Sequence, residues 1–155
     1  MNLFFIPNLE IGTFQKRDMS ENEIKLKEVN ESDLKFLYQH LKERDPITRI
    51  SHKKMPTFSE HRKFVASNPY TKWYIIIQKN RKIGSIYLTE MNEIGLFLKK
   101  GFQAKGLGQS SLELLMKLNP RSRYLANVSP KNKKSAGFFK KNNFKLIQHT
   151  YEFKI

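Results

Sequence analysis

One segment of this chain limits the possible folds more than any other. It comprises residues 103–108, Gln-Ala-Lys-Gly-Leu-Gly, and it stands between an apolar strand-like stretch and an apolar helix-like one. Glycines at such a junction let a ligand approach the backbone closely, and the first N–H groups of the following helix have no partner inside it. Those N–H groups and the positive helix end favour a phosphate or pyrophosphate. The segment therefore predicts a strand, a loop and a helix that bind an anion, with Lys105 adding a charge.

Spacing excludes two other nucleotide-binding loops. A P-loop needs Gly-Lys followed by Ser or Thr, which does not occur here. A dinucleotide-binding loop needs three glycines after an early strand and an acid about 20 residues further on, a region where this chain has Arg123. A helix start without a ligand is the remaining alternative for the six residues taken alone.

Hydrophobic periodicity divides the rest of the chain into short elements. The predicted strands are residues 24–29, 73–78, 82–89, 93–99, 124–128 and 144–155, and the predicted helices are residues 34–41, 57–68, 107–118 and 130–142. Their order, β-α-α-β-β-β-α-β-α-β, predicts an α/β (α+β) domain. Residues 1–22 show no periodicity and are interpreted as an N-terminal arm, so the single folded domain is expected to span residues 23–155.

Positive charge is concentrated in the second half of the chain. The formal net charge is +15, and the segment from Lys99 to Lys145 holds twelve Lys and Arg but one acid, Glu113. Such a surface suits a polyanion, whether nucleic acid, an anionic membrane or a small ligand with several phosphates. A merely solvated basic face is the alternative.

The residue content excludes several chemistries. The chain has no Cys, which removes disulfides, thiolate zinc sites and a cysteine nucleophile, and no metal is expected. Its longest apolar run, Trp73 to Ile77, is five residues, against the ~20 that a membrane-spanning helix needs. The expectation is a cytoplasmic protein without membrane insertion.

The stretch from Leu96 to Gly108 resembles the acetyl-CoA-binding segment of the GCN5-related N-acetyltransferases (GNAT). That family places a strand, Q/R-x-x-G-x-G/A and a helix in this order. A strand follows, then Asn-x-x-Ala/Ser, an aromatic residue four positions later, and Gly-Phe at the helix end. Here those later positions read Asn132, Ser135, Phe139 and Asn143-Phe144. The resemblance implies the GNAT fold, a central mixed but mostly antiparallel sheet flanked by helices, and transfer of acetyl from acetyl-CoA directly to a primary amine.

The resemblance also implies which residues contact acetyl-CoA. The backbone of residues 96–98 would bind the pantetheine amides and polarise the acetyl carbonyl, residues 104–109 would cradle the pyrophosphate, and two residues of the last helix would reach the pantetheine arm. The full predicted set is Leu96, Phe97, Leu98, Gln103, Ala104, Lys105, Gly106, Leu107, Gly108, Gln109, Asn132, Ser135 and Phe139.

Two positions depart from the family pattern. Phe139 stands where many members have a Tyr that is thought to protonate the departing thiolate, and Phe has no proton to give. Asn127 stands where many peptide-acetylating members have a Glu. Thiolate protonation is therefore left to water or to another hydroxyl, such as Tyr87 or Tyr124.

A general base is still required, because an ammonium group must lose a proton before it attacks a thioester. His61 and Glu93 are the predicted catalytic residues, with His52 and Glu90 as further candidates. His61 lies in F-x-E-H-x-x-F, residues 58–64, which is similar to an element of the amino-sugar-nucleotide N-acetyltransferases of the pseudaminic-acid pathway type. Arg44 and Arg49 echo an upstream pattern of that branch, so Arg44, Arg49 and His61 are the predicted acceptor-binding residues. A structural histidine at a helix start is the alternative for His61.

The expected acceptor is therefore a small-molecule amine carried by a sugar nucleotide, itself a diphosphate suited to a basic surface. The nearest rival is a ribosomal-protein-type N-acetyltransferase of proteins or peptides, which the absent Glu and Tyr disfavour. A non-catalytic acyl-CoA-binding protein and a nucleic-acid-binding module are the other options, the latter disfavoured because no zinc-finger, RNP or helix-turn-helix signal occurs. The oligomeric state, including a homodimer, stays open.

Overall fold

The computed structural model describes residues 23–48, 54–153 and 155. The predicted arm of residues 1–22 lies outside this range, as do Arg49 and His52. The α-helices and strands are, in chain order, β1 (Ile24–Glu28), α1 (Leu34–Lys42), α2 (Phe58–Ala66), β2 (Lys72–Gln78), β3 (Arg81–Leu88), β4 (Ile94–Leu98), α3 (Leu107–Leu118) and α4 (Lys133–Lys141), and short 3₁₀ helices lie at Glu31–Asp33 and Pro46–Thr48. None of the helices within the described residues is long and apolar enough to cross a membrane.

The four strands form one antiparallel sheet in the order β1-β2-β3-β4. β2 and β3 are joined by a two-residue turn in which Lys79 and Asn80 both have positive φ, 45° and 60°. Such turns match the twist of the strands that they connect, so the hairpin register follows from the turn. The β2–β3 ladder then shifts by one residue between Ile76 and Ile77.

A side-chain cap fixes where α2 begins, and a buried ion cluster anchors the start of α1. Thr57 and Glu60 form the predicted capping box at the start of α2, each accepting a backbone N–H of the other. Ahead of α1, Asp33 is fully buried and binds Lys27 of β1 and Lys82 of β3. Burial opposes ionisation of Asp33, but the hydrogen bonds from the two lysines outweigh it and lower the pKa of the carboxyl. This ion cluster ties the start of α1 to the sheet.

The two faces of the sheet are covered differently. One face packs on α3 and carries the main core, whose buried members are Tyr74, Ile76, Ile83, Ile86, Leu88, Ile94, Leu107, Leu112 and Leu115. The opposite face carries α1 and α2 and includes buried polar side chains, His40, His61 and Ser85. The fold class predicted from the sequence is confirmed by this α+β architecture.

The last two predicted strands are wrong in detail. Residues 124–128 form one parallel bridge, between Glu93 and Leu125, instead of a strand. Residues 144–155 contain no strand among their described members, and Leu146, Tyr151 and Phe153 are exposed. Apolar alternation cannot by itself supply the neighbouring edge that a strand needs, and only one residue pair here reaches the edge of β4.

Candidate active site

The outer edge of β4 is paired at its beginning and open afterwards. Ile94 donates its N–H to the Leu125 carbonyl at 2.8 Å, and Leu125 donates to Asn92 at 2.8 Å. Among the backbone hydrogen bonds between described residues, none joins the rest of β4 to residues 126–129. Alternate residues of a strand direct their N–H groups to the same edge. Leu96 and Leu98 therefore direct theirs, like Ile94, to the outer edge of β4, into the gap between β4 and residues 126–129. We call the backbone of residues 96–98 on this side the open edge of β4.

The loop that follows β4 turns by means of left-handed residues. Gly101, Ala104 and Gly106 have φ of 87°, 59° and 76°, and Gly106 is the N-cap of α3. Residues 103–106 are exposed, including Lys105, so the N-terminus of α3 is reachable from solvent. The open edge of β4 and this helix start therefore meet at one place, as the sequence predicts, and together with the N-terminal turn of α4 we call them the loop wall.

Gly108 has a different role from the one that the sequence suggests. A Cβ atom at this position would lie 3.2 Å from the Phe138 ring and 3.7 Å from Leu96. The position faces protein atoms of α4 and β4, so its missing side chain permits close packing between these elements. Gly106, in contrast, is required by its own backbone conformation.

Gln103 lies in the loop between β4 and α3, and its side chain bridges β4 and α4. Its Nε2 donates to the Leu98 carbonyl at 3.1 Å, and its Oε1 accepts from Lys134 Nζ. Both ends of this predicted coenzyme contact are therefore engaged with the protein. The residue positions the end of the open edge relative to the N-terminal turn of α4.

The α4 motif residues shape the ends of that helix. Asn132 is the N-cap, and its Oδ1 accepts the Ser135 N–H at 3.1 Å. At the other end, Asn143 is left-handed with φ of 66°, and the N–H of Phe144 bonds the Phe139 carbonyl at 3.0 Å. This is a Schellman ending, which needs Gly or Asn at that position and explains why Asn replaces the family's Gly. The ring of Phe139 packs edge-on against Phe144.

Aromatic side chains from distant segments gather beside β4, on the face of the sheet that carries α1 and α2. Tyr70 and Tyr87 stack in parallel with ring centroids 3.9 Å apart, and the Trp73 ring meets the Tyr70 ring edge-on at 4.9 Å. The Tyr87 ring lies directly over Gly95, where any Cβ would come within 2.0 Å of it. We call this group the aromatic wall, and its members are Tyr38, His61, Phe64, Tyr70, Trp73 and Tyr87.

His61 is 5% exposed and lies at the base of the aromatic wall, its ring 5.3 Å from that of Tyr38. Its Nε2 is buried without a hydrogen-bond partner among the described residues. Burial, and to a smaller extent the charge of Arg44, lowers the pKa of His61, so the ring is neutral at neutral pH. Arg44 itself stacks on Phe97 of β4, with its guanidinium carbon 3.3 Å from the ring centroid.

Glu93, the other predicted catalytic residue, stands where the open gap begins. Its Oε1 accepts from Asn127 Nδ2 at 2.8 Å and its Oε2 accepts from Thr89 Oγ1 at 3.3 Å. Asn127, which departs from the family pattern, is thus the partner that orients Glu93. Glu90, the further candidate base, is exposed in the turn after β3.

The two tyrosines proposed as proton donors differ in their surroundings. The Tyr124 hydroxyl accepts the Arg121 N–H and donates to the Asn119 carbonyl, both at 2.8 Å, so it is committed to the end of α3. The Tyr87 hydroxyl lies over Gly95 of β4, and burial raises the pKa of Tyr87, which keeps the phenol protonated.

Several contributors to the site were not predicted from the sequence, among them His40, Tyr70 and the pairing of Tyr87 with Gly95. His40 and Tyr70 lack a motif, because His40 meets Phe97 of β4, and Tyr70 meets Tyr87 of β3, only through the tertiary fold. Gly95 was the usable signal, since a glycine inside an apolar strand marks a close approach by another group.

An open strand edge beside the N-terminus of a helix is an arrangement suited to an extended ligand that carries amides and phosphates. Residues 23–145 match the family described as the acetyltransferase (GNAT) domain. The match covers most of the chain, so the chain belongs to this family and is an acetyl-CoA-dependent N-acetyltransferase. A search among curated protein sequences found no match.

Solved structures share the fold at low sequence identity. A domain from Methanocaldococcus jannaschii superposes with a TM-score of 0.70 at 23% identity, covering 84% of this chain and 93% of that one. An acetyltransferase from Salmonella typhimurium that modifies the N-terminal serine of a ribosomal subunit protein gives 0.63 at 24%, covering 78% and 80%. The spermidine/spermine N-acetyltransferase of Vibrio cholerae gives 0.68 at 16%, covering 85% and 86%. These likenesses establish the fold alone.

Proposed function

We propose that the acceptor is the primary amine of an amino-sugar nucleotide. The observation that carries this proposal is the composition of the aromatic wall, where stacked tyrosines adjoin Arg44 beside β4. Aromatic rings suit the faces of a sugar or base, and a guanidinium suits phosphate oxygens. Arg44 and Lys54 would approach the nucleotide phosphates.

The acidic groups that line the cleft near this wall already accept hydrogen bonds from the protein. Glu43 accepts from Gln39, Asp45 accepts the Ile47 N–H, Glu60 caps α2 and Glu93 accepts from Asn127. A polycationic acceptor such as a polyamine would need carboxylates facing it, since each ammonium must exchange its water for a partner. The charge of the wall therefore favours an anionic acceptor over a polyamine.

The loop wall fits acetyl-CoA, which supplies an acetyl group on a thioester when it is bound. Gly106 leaves the first N–H groups of α3 free for a diphosphate, and Lys105 is exposed beside them. The N–H groups of Leu96 and Leu98 face the gap where an extended chain carrying amides would lie. Asn132 and Ser135 border the same gap from the start of α4, and their contact with the pantetheine arm belongs to this proposal.

His61 is proposed to take the proton from the acceptor ammonium. The imidazole is neutral at neutral pH, it is shielded from bulk water, and its Nε2 has no partner among the described residues. A positioned base of this kind contributes about 10² to 10⁴ in rate. Glu93 is the second candidate base, but its two hydrogen bonds tie it in place.

Tyr87 is proposed as the group that protonates the departing thiolate, a role that Phe139 cannot fill. Its hydroxyl lies at β4, and Tyr124 is committed elsewhere. A cytoplasmic location and one acetyltransferase domain over residues 23–155 are part of the same proposal.

A peptide or protein N-terminus is the second candidate acceptor, because a fold relative modifies an N-terminal serine. The test is initial-rate turnover, at equal concentrations, of UDP-linked 4-amino sugars, N-terminal peptides and spermidine. UDP alone should inhibit competitively against the amino sugar and should not compete with acetyl-CoA. Preference for peptides or spermidine, or competition of UDP only with acetyl-CoA, would contradict the sugar-nucleotide assignment.

A further inference from the structure

A buried histidine reaches the open strand from the other side of the sheet. His40 of α1 is 3% exposed, and its Nε2 lies 3.1 Å from the carbonyl oxygen of Phe97 in β4. A carbonyl can only accept, so Nε2 carries the proton and donates it. Burial, followed by the charge of Arg44, lowers the pKa of His40 to about 4, so the ring remains a neutral donor in the physiological range.

Two other residues hold the same carbonyl and its side chain. A Cβ at Gly84 of β3 would lie 2.2 Å from the Phe97 oxygen, so only glycine lets this oxygen approach β3 so closely. Arg44, four residues after His40, stacks on the Phe97 ring. Residues four apart share one side of a helical segment, so α1 and its C-terminal turn hold both the backbone and the ring of Phe97.

The direction of the Phe97 carbonyl fixes the direction of the next N–H. No cis peptide bond occurs among the described residues, and in a trans peptide the C=O and the following N–H point in opposite directions. The carbonyl points toward α1 and β3, so the N–H of Leu98 points into the gap. Leu98 is also the residue whose carbonyl is held by Gln103.

We infer that His40 is a positioning residue for the acyl donor: its hydrogen bond to the Phe97 carbonyl orients the Leu98 N–H toward the coenzyme. It acts through the Phe97–Leu98 peptide and touches no reacting atom. The inference rests on acetyl-CoA binding along β4 and does not depend on which amine is acetylated.

The test compares two replacements that differ in one property. His40→Gln keeps an N–H donor close to the position of Nε2, whereas His40→Leu has a similar size and no donor. Acetyl-CoA and CoA affinities are measured by calorimetry, and thermal unfolding verifies that each variant is folded. We expect His40→Leu to bind acetyl-CoA at least about tenfold more weakly and His40→Gln to stay within about threefold of the wild type.

A purely packing role for His40 predicts a different pattern. It predicts that both replacements lower stability while a folded His40→Leu protein keeps normal acetyl-CoA affinity, or that both weaken binding equally, and either result overturns the inference. Should His40→Leu not fold, Gly84→Ala serves instead, because the added Cβ must displace the Phe97 oxygen. Weakened acetyl-CoA binding in folded Gly84→Ala supports the inference, and normal binding overturns it. If Gly84→Ala does not fold either, tenfold weaker binding by His40→Gln overturns the inference.

Because only acetyl-CoA and CoA are used, this experiment is separate from the acceptor assignment. Failure of the sugar-nucleotide assay would leave the His40 comparison unchanged. Failure of the His40 comparison would equally leave the acceptor question open to its own test.

Discussion

The loop wall and the aromatic wall both line one large cleft, but they are built from different parts of the chain. Most of the loop wall uses backbone groups from one stretch of the chain, which comprises an open strand edge, a left-handed Gly106 and the start of α3; only the first turn of α4 comes from elsewhere. The aromatic wall uses side chains from α1, α2, β2, β3 and the loop before β2, which meet only in the folded protein. Backbone recognition needs particular residues at fixed spacing and so leaves a local motif, whereas side-chain recognition needs only that the fold bring the right groups together.

The largest effect should come from the aromatic wall. We expect His61→Ala to lower turnover by about 10² or more with acetyl-CoA affinity unchanged, because a positioned general base is lost. His149→Ala, at an exposed histidine, is the matched control and should turn over normally. If His61→Ala lost stability but the folded fraction kept near-normal turnover, His61 would be structural.

Acid should destabilise the fold through His40, the buried histidine that bonds the Phe97 carbonyl behind the loop wall. His40 has a pKa of about 4 in the folded protein and about 6.5 in the unfolded chain. Between these values the unfolded chain binds more protons than the folded protein, so the free energy of unfolding decreases as the pH is lowered. Between pH 7.5 and 4.5 this one group should remove about 2 to 3 kcal/mol of unfolding free energy. Urea unfolding of wild type and His40→Gln should show a smaller pH dependence in the variant. An equal dependence in both proteins would contradict the buried neutral histidine.

Two glycines in and next to the loop wall have positive φ, and replacing each of them distinguishes the effect of backbone strain from a direct effect on acetyl-CoA binding. Gly101→Ala and Gly106→Ala each place a Cβ at positive φ, at a cost of about 1 to 2 kcal/mol. At Gly101 the added atom meets nothing within 4 Å, so its acetyl-CoA affinity should stay within about twofold. Gly106→Ala should lose about tenfold, since it disturbs the N-cap of α3. Equal affinities in calorimetry would remove the helix start from the coenzyme site.

The smallest expected effect concerns the exposed charge in the loop. Lys105→Ala should weaken acetyl-CoA about fivefold at low ionic strength and less at high salt, because one solvent-exposed charge contact is weak and screened. Lys117→Ala, at the far end of α3, is the matched control. A salt-independent loss at Lys105 would point to a conformational effect of the substitution.

What could be read from the sequence follows the same division. The strand and loop up to Gly106, the capping box at Thr57 and the order of the main elements were all predictable, because each depends on neighbours a few residues apart. The contact of His40 with Phe97 spans 57 residues and leaves no periodic trace. The predicted strand at residues 144–155 failed because alternation says nothing about a partner edge.

Gly108 shows a subtler limit. The spacing of the motif predicted a glycine that a ligand approaches closely, but the protein atoms that a Cβ would meet are those of Phe138 at 3.2 Å and Leu96 at 3.7 Å. A glycine in a motif can indicate that there is little space beside the backbone at that position, but it does not identify the neighbouring group. The role of each glycine therefore needed the tertiary contacts of α4.

The division between the walls is tested most directly by following backbone amide resonances of the ¹⁵N-labelled wild-type protein while CoA is added. Shifts should concentrate at Leu96, Leu98 and residues 104–109. The resonances of residues 58–73, which hold four members of the aromatic wall, should change little. If the largest shifts instead fell on residues 58–73, with the open edge of β4 unaffected, the loop wall would not be the coenzyme site.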